Sequence, residues 1–224
     1  MNFKALIFDF NGLIVDDEPV HFELFRKVLA EEEIELDEQK YWDIYLGFDD
    51  KGLFEEIFRR NNKKLTPKKL KELIQKKTEN YPALLAKKFK IFPGVDELIR
   101  WASKKLDLAI VSGALRPEID LVLQKSNLTS FFPLIISAEE TKHGKPDPEG
   151  FLIALARLKK KNPEIRPENC LVLEDSLAGI ESAKRARMKC AALTHSYSRE
   201  QLIGADIICD TFQEVQKFLE KGNV

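Results

Sequence analysis

The chain has 224 residues, with 36 Lys and Arg against 37 Asp and Glu and a formal net charge of −1. That balance lacks the one-sided positive field of a nucleic-acid binder, and no apolar run reaches the roughly 18 residues a bilayer span needs, so neither nucleic acid nor membrane is expected as a partner. Apolar residues make up 44%, enough for one large core with an insert. The three cysteines, Cys170, Cys190 and Cys209, lack CxxC spacing and read as buried thiols of a cytoplasmic protein.

In chain order, the first element is "KALIFDF" (4–10), a short apolar run that reads as a strand buried on both faces. From Pro19 to about Lys88 no strand-like run occurs. Helical periodicity and Lys/Glu-rich faces fit four helices near 19–33, 37–46, 50–62 and 67–88. "FPGVDEL" (92–98) restarts the alternation. Further strands are expected at 106–113, 132–140, 170–176, 189–196 and 205–210. Helices between them show apolar faces: Ile119, Val122 and Leu123 in 116–126; Phe151, Leu152, Leu155 and Leu158 in 148–160; Ile180, Ala183 and Met188 in 177–188. Alternating β and α elements predict a doubly wound parallel α/β sheet. The sheet domain is then discontinuous, residues 1–15 and 89–224, with an inserted all-α unit over 16–88.

Ligands of open α/β sheets bind outside the carboxyl ends of the strands. Here those ends carry Asp9, then Ser112-Gly113, then a loop to Lys145, then Glu174-Asp175. Each feature alone is ordinary turn or cap chemistry. Together they bring carboxylates, one lysine, one hydroxyl and free amides to one crevice, which suits Mg²⁺ and a phosphoryl group. Asp9 is the candidate nucleophile, Asp9 and Asp175 the candidate metal ligands, and Ser112, the Gly113 amide and Lys145 the candidate phosphate contacts. Lys145 would also keep Asp9 ionised.

In that order, "FDFNGLIVDDEP", "VSGA", "GKPDP" and "LVLEDSLAGIESAKRA" resemble the four motifs of the haloacid dehalogenase-like hydrolases, over nearly the whole chain. The look is that of the β-phosphoglucomutase-like group of small-molecule phosphatases and sugar-phosphate mutases. The resemblance implies a Rossmann-like core with a helical cap that closes over a small phosphorylated metabolite. It implies Mg²⁺ held by Asp9, the backbone carbonyl of Asn11, Glu174 and Asp175. It also implies cap contacts from His21 and Lys77, whose ordinary readings are a packing residue and a solvated helix face.

Three positions depart from the pattern. Asn11 stands where the family has an Asp acting as general acid and base. Arg187 stands where a Gly usually ends a helix. Asp50 lies about where the mutase carries a phosphate-gripping Arg, with Lys51 beside it. The expectation is a monomeric Mg²⁺-dependent phosphatase of a sugar or polyol phosphate, working through an aspartyl-phosphate and slowed by Asn11. The alternatives are a phosphosugar mutase, against which Asp50 argues, and an impaired relative that binds phosphorylated ligands.

Overall fold

The computed structural model describes residues 3–222. Two compact units make up the chain: the described residues up to Asp16 with those from Ile91 onward, and Asp17–Lys90.

The first unit is built on six parallel strands: β1 (Ala5–Phe8), β2 (Asp107–Val111), β3 (Leu134–Ile136), β4 (Cys170–Glu174), β5 (Lys189–Leu193) and β6 (Ile207–Cys209). Their order is β3-β2-β1-β4-β5-β6. The chain thus builds outward from β1 to β3, then returns to β4 on the other flank of β1. Strand order reverses between β1 and β4, which is where such sheets open a binding crevice. The register sets Phe8 beside Ile110 on one side and Leu173 on the other.

Side chains alternate between faces along each strand. Ala5, Ile7, Ala109, Val111 and Val172 share one face with Phe151, Ala154, Leu155 and Leu158 of a helix at Glu149–Lys161, and with Ile180 and Ala183 of another at Leu177–Arg185. The intervening Leu6, Phe8, Leu108, Ile110, Leu171 and Leu173 are buried too. That face therefore needs its own cover. Three further helices of this unit, at Val95–Ala102, Arg116–Lys125 and Phe212–Gly222, carry buried apolar residues such as Leu98, Ile119 and Val215. The 212–222 helix is absent from the reading of the sequence above.

The strands are shorter than the apolar runs that announced them. After Phe8, the Phe10 carbonyl accepts the N–H groups of Leu13, Ile14 and Val15, which turns the chain out of the sheet. The run 132–140 yields only three strand residues before a 3₁₀ turn at Ala138–Glu140. β3 is an edge strand, with a ladder on one side alone.

The second unit contains α1 (Glu18–Ala30), α2 (Glu38–Lys40), which widens into a π-helical turn at Tyr41–Tyr45, α3 (Asp50–Arg60) and α4 (Pro67–Lys88). Its caps follow the sequence: Asp49 accepts from Gly52 N at 2.6 Å, and Thr66 accepts from Lys69 N at 3.2 Å with Pro67 in the first turn. Phe22, Phe25, Val28, Leu29, Phe54, Ile57, Phe58 and Leu73 close a core of its own. Continuing in chain order, α5 to α9 denote the core-unit helices 95–102, 116–125, 149–161, 177–185 and 212–222. Among the described residues no helix is long and apolar enough to cross a membrane.

Candidate active site

At the carboxyl end of β1, the Asp9 amide donates to the Leu173 carbonyl at 2.9 Å. This extends the β1–β4 ladder by one step and sets Asp9 beside the end of β4. β4 closes on Glu174, and Asp175 follows. One oxygen from each of Asp9, Glu174 and Asp175 can be chosen so that all three lie within 4.8 Å of one another. All three residues are buried, Glu174 completely. Lys145, from the loop after β3, bridges the cluster: its Nζ donates to Asp9 Oδ1 and, at 2.5 Å, to Glu174 Oε1. Four residues singled out from the sequence therefore meet in one place.

Two glycines make room for the acids. A Cβ on Gly12 would lie 2.1 Å from Asp175 Oδ2, and one on Gly179 would lie 1.9 Å from Glu174 Cδ. Gly12 also has a φ of +73°, which side chains disfavour. Glu174 is further held through Oε2, which accepts from the amides of Asp175 at 3.2 Å and Ser176 at 3.3 Å and from the Ser176 hydroxyl at 3.0 Å. Ser176 Oγ in turn accepts from Gly179 N at 3.0 Å, capping α8. The cap and the acid cradle are one structure.

Burial, and next the charge of Glu174, push the Asp9 carboxyl up to about 7, while Lys145 pulls it down. Asp175 is raised well above the usual range by burial and by the other two acids. Burial by itself would lower Lys145, but the charges of Asp9 and Glu174 hold it above the ordinary lysine value. Three packed acids against one ammonium leave an excess of negative charge out of water. Their donors are all hard oxygens, without sulfur or imidazole, which is the chemistry Mg²⁺ selects. The residues fit such an ion.

Ser112 and Gly113 follow β2, Ser112 buried and Gly113 exposed. Ser112 N–H donates to the Ile136 carbonyl at 3.0 Å, and Ser112 Oγ accepts from Ala114 N at 3.0 Å. Asn11 is half-buried just beyond β1. The amide of Gly12 donates to the Val15 carbonyl at 3.0 Å. In a trans peptide C=O and N–H point oppositely, so the Asn11 carbonyl is aimed away from Val15.

His21 and Lys77 lie in the helical unit. His21 Nε2 meets Asp17 Oδ2 at 3.0 Å, and the Tyr81 hydroxyl donates to the same oxygen at 2.5 Å. Lys77 is not on a solvated face: it is fully buried, 2.7 Å from Asp50 Oδ1 and 5.0 Å above the Phe25 ring. The sequence carried no sign of this pairing, because 27 residues separate the partners.

His195 and Ser196 also reach the cluster, although no motif singles them out. Ser196 Oγ donates to Asp175 Oδ2, and His195 Nδ1 donates to the Gly12 carbonyl at 2.9 Å. Their signal was positional: they stand just past the carboxyl end of β5, where the strand-end rule applies as it does after β1, β2 and β4.

A model of the haloacid dehalogenase-like hydrolases matches residues 6–193. The chain is 26% identical over 220 residues to protein CbbY of Cereibacter sphaeroides, covering 95% of this chain and 94% of that one. It is 28% identical over 186 residues to the fructose-1-phosphate phosphatase YqaB of Escherichia coli, covering 83% and 94%. A crystal structure of CbbY from Rhodobacter sphaeroides in complex with xylulose-(1,5)bisphosphate superposes with a TM-score of 0.83 at 25% identity, over 95% of this chain and 96% of that one.

Proposed function

The chain belongs to the haloacid dehalogenase-like hydrolases and is a phosphoric monoester hydrolase, and on that premise we propose that it is a Mg²⁺-dependent phosphatase of a small sugar or polyol monophosphate, acting through Asp9. The observation that carries this reading is the meeting of Asp9, Lys145, Glu174 and Asp175 at the strand-order reversal. The named activity of the fructose-1-phosphate phosphatase relative supports the substrate class.

A carboxylate oxygen of Asp9 attacks phosphorus, the P–O bond to the sugar breaks, and the departing alkoxide takes its proton from solvent water. Water then attacks the phosphorus of the aspartyl-phosphate, releasing inorganic phosphate and restoring Asp9. Splitting one displacement into two is the gain of covalent catalysis. Asp9, Glu174, Asp175 and the Asn11 carbonyl would hold Mg²⁺, which when bound supplies positive charge between nucleophile and phosphoryl group. Lys145 favours the ionised form of Asp9 against burial and Glu174, and offsets charge on the phosphoryl oxygens. Ser112 Oγ and the Gly113 amide donate to those oxygens. The helical unit is the candidate cap and His21 its candidate substrate contact, whereas Lys77 is buried on Asp50 and spends its charge inside that unit.

Asn11 is the weak link. An amide does not titrate near neutrality, so it neither protonates the leaving alcohol nor activates the water. The second reading, an impaired relative that holds phosphorylated ligands, rests on this residue alone. A panel of phosphorylated metabolites assayed with Mg²⁺ and with excess EDTA tests the proposal. Phosphate release on at least one sugar or polyol phosphate is expected, lost in EDTA and in Asp9→Asn. Undiminished release in either condition would overturn it.

A further inference from the structure

The loop after β5 is tied to its surroundings at every residue from Thr194 to Ser196. Thr194 N–H donates to the Cys209 carbonyl at 3.1 Å, and its hydroxyl donates to Asp210 Oδ1 at 2.9 Å. The His195 ring stacks on Phe92 with centroids 3.9 Å apart and planes 5° apart, and meets the edge of Phe212 at 5.5 Å. Its Nδ1 donates to the Gly12 carbonyl at 2.9 Å. Ser196 then extends its hydroxyl to Asp175 Oδ2. That same oxygen is pressed on Gly12, where a Cβ would stand 2.1 Å from it and 3.1 Å from Ser196 Oγ.

We propose that Ser196 is a positioning residue for the acid cluster: clamped by His195, it ties down Oδ2 of Asp175 and leaves the other oxygen to a divalent cation. The inference rests on reading the cluster as a cation site. With Oδ2 boxed between Gly12 and Ser196, the carboxylate has one orientation instead of a free rotation about its last bond. The hydroxyl also offers the buried anion a donor where water is excluded. Outer-shell partners of this kind typically contribute a factor of about 10 to 100 in metal affinity.

Calorimetric titration with Mg²⁺, and Mn²⁺ binding followed by electron paramagnetic resonance, test this without reference to turnover. In Ser196→Ala both cations are expected to bind about 10- to 100-fold more weakly. The melting temperature in EDTA should fall, because Asp175 Oδ2 is left buried without its donor, so the titrations are read on protein shown to be folded at the working temperature. Ser196→Thr keeps the oxygen and should recover most of the affinity. Ser196→Cys fills the same space with a weak donor and should behave as the alanine variant does, which covers the case in which the alanine variant does not fold. Wild-type affinity in Ser196→Ala or Ser196→Cys, or no recovery in Ser196→Thr, would overturn the role of Ser196 while leaving the cation site standing. Absence of cation binding by the wild type would overturn both.

Discussion

At the scale of single residues, the proposed function turns on two side chains. Under the proposed mechanism, Asn11 occupies the position from which a proton would be given and recovered. General acid–base assistance contributes about 10²- to 10⁴-fold, so Asn11→Asp is expected to raise turnover of an alkyl phosphate at least about tenfold. Mg²⁺ affinity should change little, since the ligand proposed from residue 11 is its backbone carbonyl. Aryl and acyl phosphates, with leaving groups that need no proton, should gain least. Steady-state kinetics on an alkyl and an aryl phosphate check both statements, and equal rates on the alkyl phosphate would mean that another group already supplies the proton. Asp50 is the second residue. It pairs with the buried Lys77 at 2.7 Å, so the ammonium's charge is already answered within its own unit. A substrate with one phosphate and a neutral remainder suits that arrangement better than a bisphosphate. Asp50→Ala is expected to shift kcat/KM toward a sugar bisphosphate relative to the monophosphate. An unchanged ratio would remove Asp50 from the specificity account.

At the scale of elements, the acid cradle and the helix that follows it are one unit. α8 starts on the Ser176 cap, runs past Gly179 with the Glu174 carboxylate against its backbone, and stops at Arg187. The stop is costly in detail. Arg187 has a φ of +61°, with its N–H on the Lys184 carbonyl at 2.9 Å and the Met188 N–H on the Ala183 carbonyl at 3.0 Å. This is the left-handed helix end that glycine normally supplies. A side chain there costs about 1–2 kcal/mol, partly offset because glycine gains freedom in the unfolded chain. Arg187→Gly is therefore expected to stabilise by up to about 1 kcal/mol, a rise of roughly 2–4 °C in Tm for a chain of this size, with catalysis unchanged. Thermal and urea denaturation check it, and a loss of stability would show that the Arg187 side chain contributes more than its backbone costs.

At the scale of the whole molecule, the acid cluster couples stability to pH. Asp9 is held at about 7 in the folded protein against an ordinary value of 3.8, first by burial and then by Glu174. Between those values the folded state keeps a proton that the unfolded state releases, so stability falls as pH rises through the interval. His195, lowered mainly by burial, acts in the opposite sense near its own ordinary value of 6.5. The clean measurement is therefore a difference. Asp9→Asn cannot titrate, and at low pH it resembles the protonated wild type. In EDTA the Tm of Asp9→Asn minus that of the wild type is expected to grow from pH 5 to pH 8. Saturating Mg²⁺ should raise the wild-type Tm by mass action, most at the high end of that range. A gap that does not change with pH would mean that Asp9 is not protonated in the metal-free fold.

The sequence by itself determined the strands, their parallel class and the residues at their ends. Those properties are local: β-branched apolar runs separated by helical periods, each closed by Asp9, Ser112 or Glu174-Asp175. The family motifs determined Lys145 in the same way, by order along the chain. Only the tertiary structure decided what these groups meet. Strand order placed β1 between β2 and β4, and this brought Lys145 across 136 residues to Asp9. It likewise set Ser196 on Asp175 and His195 on Gly12, while helix packing inside the second unit set Lys77 on Asp50. Each of these partners lies far along the chain from the group it holds, and none has a periodicity that points to the other. A residue's own neighbours set whether it is strand, helix or turn, whereas its hydrogen-bond partner and the charge it feels depend on which distant segments the burial of apolar faces brings beside it.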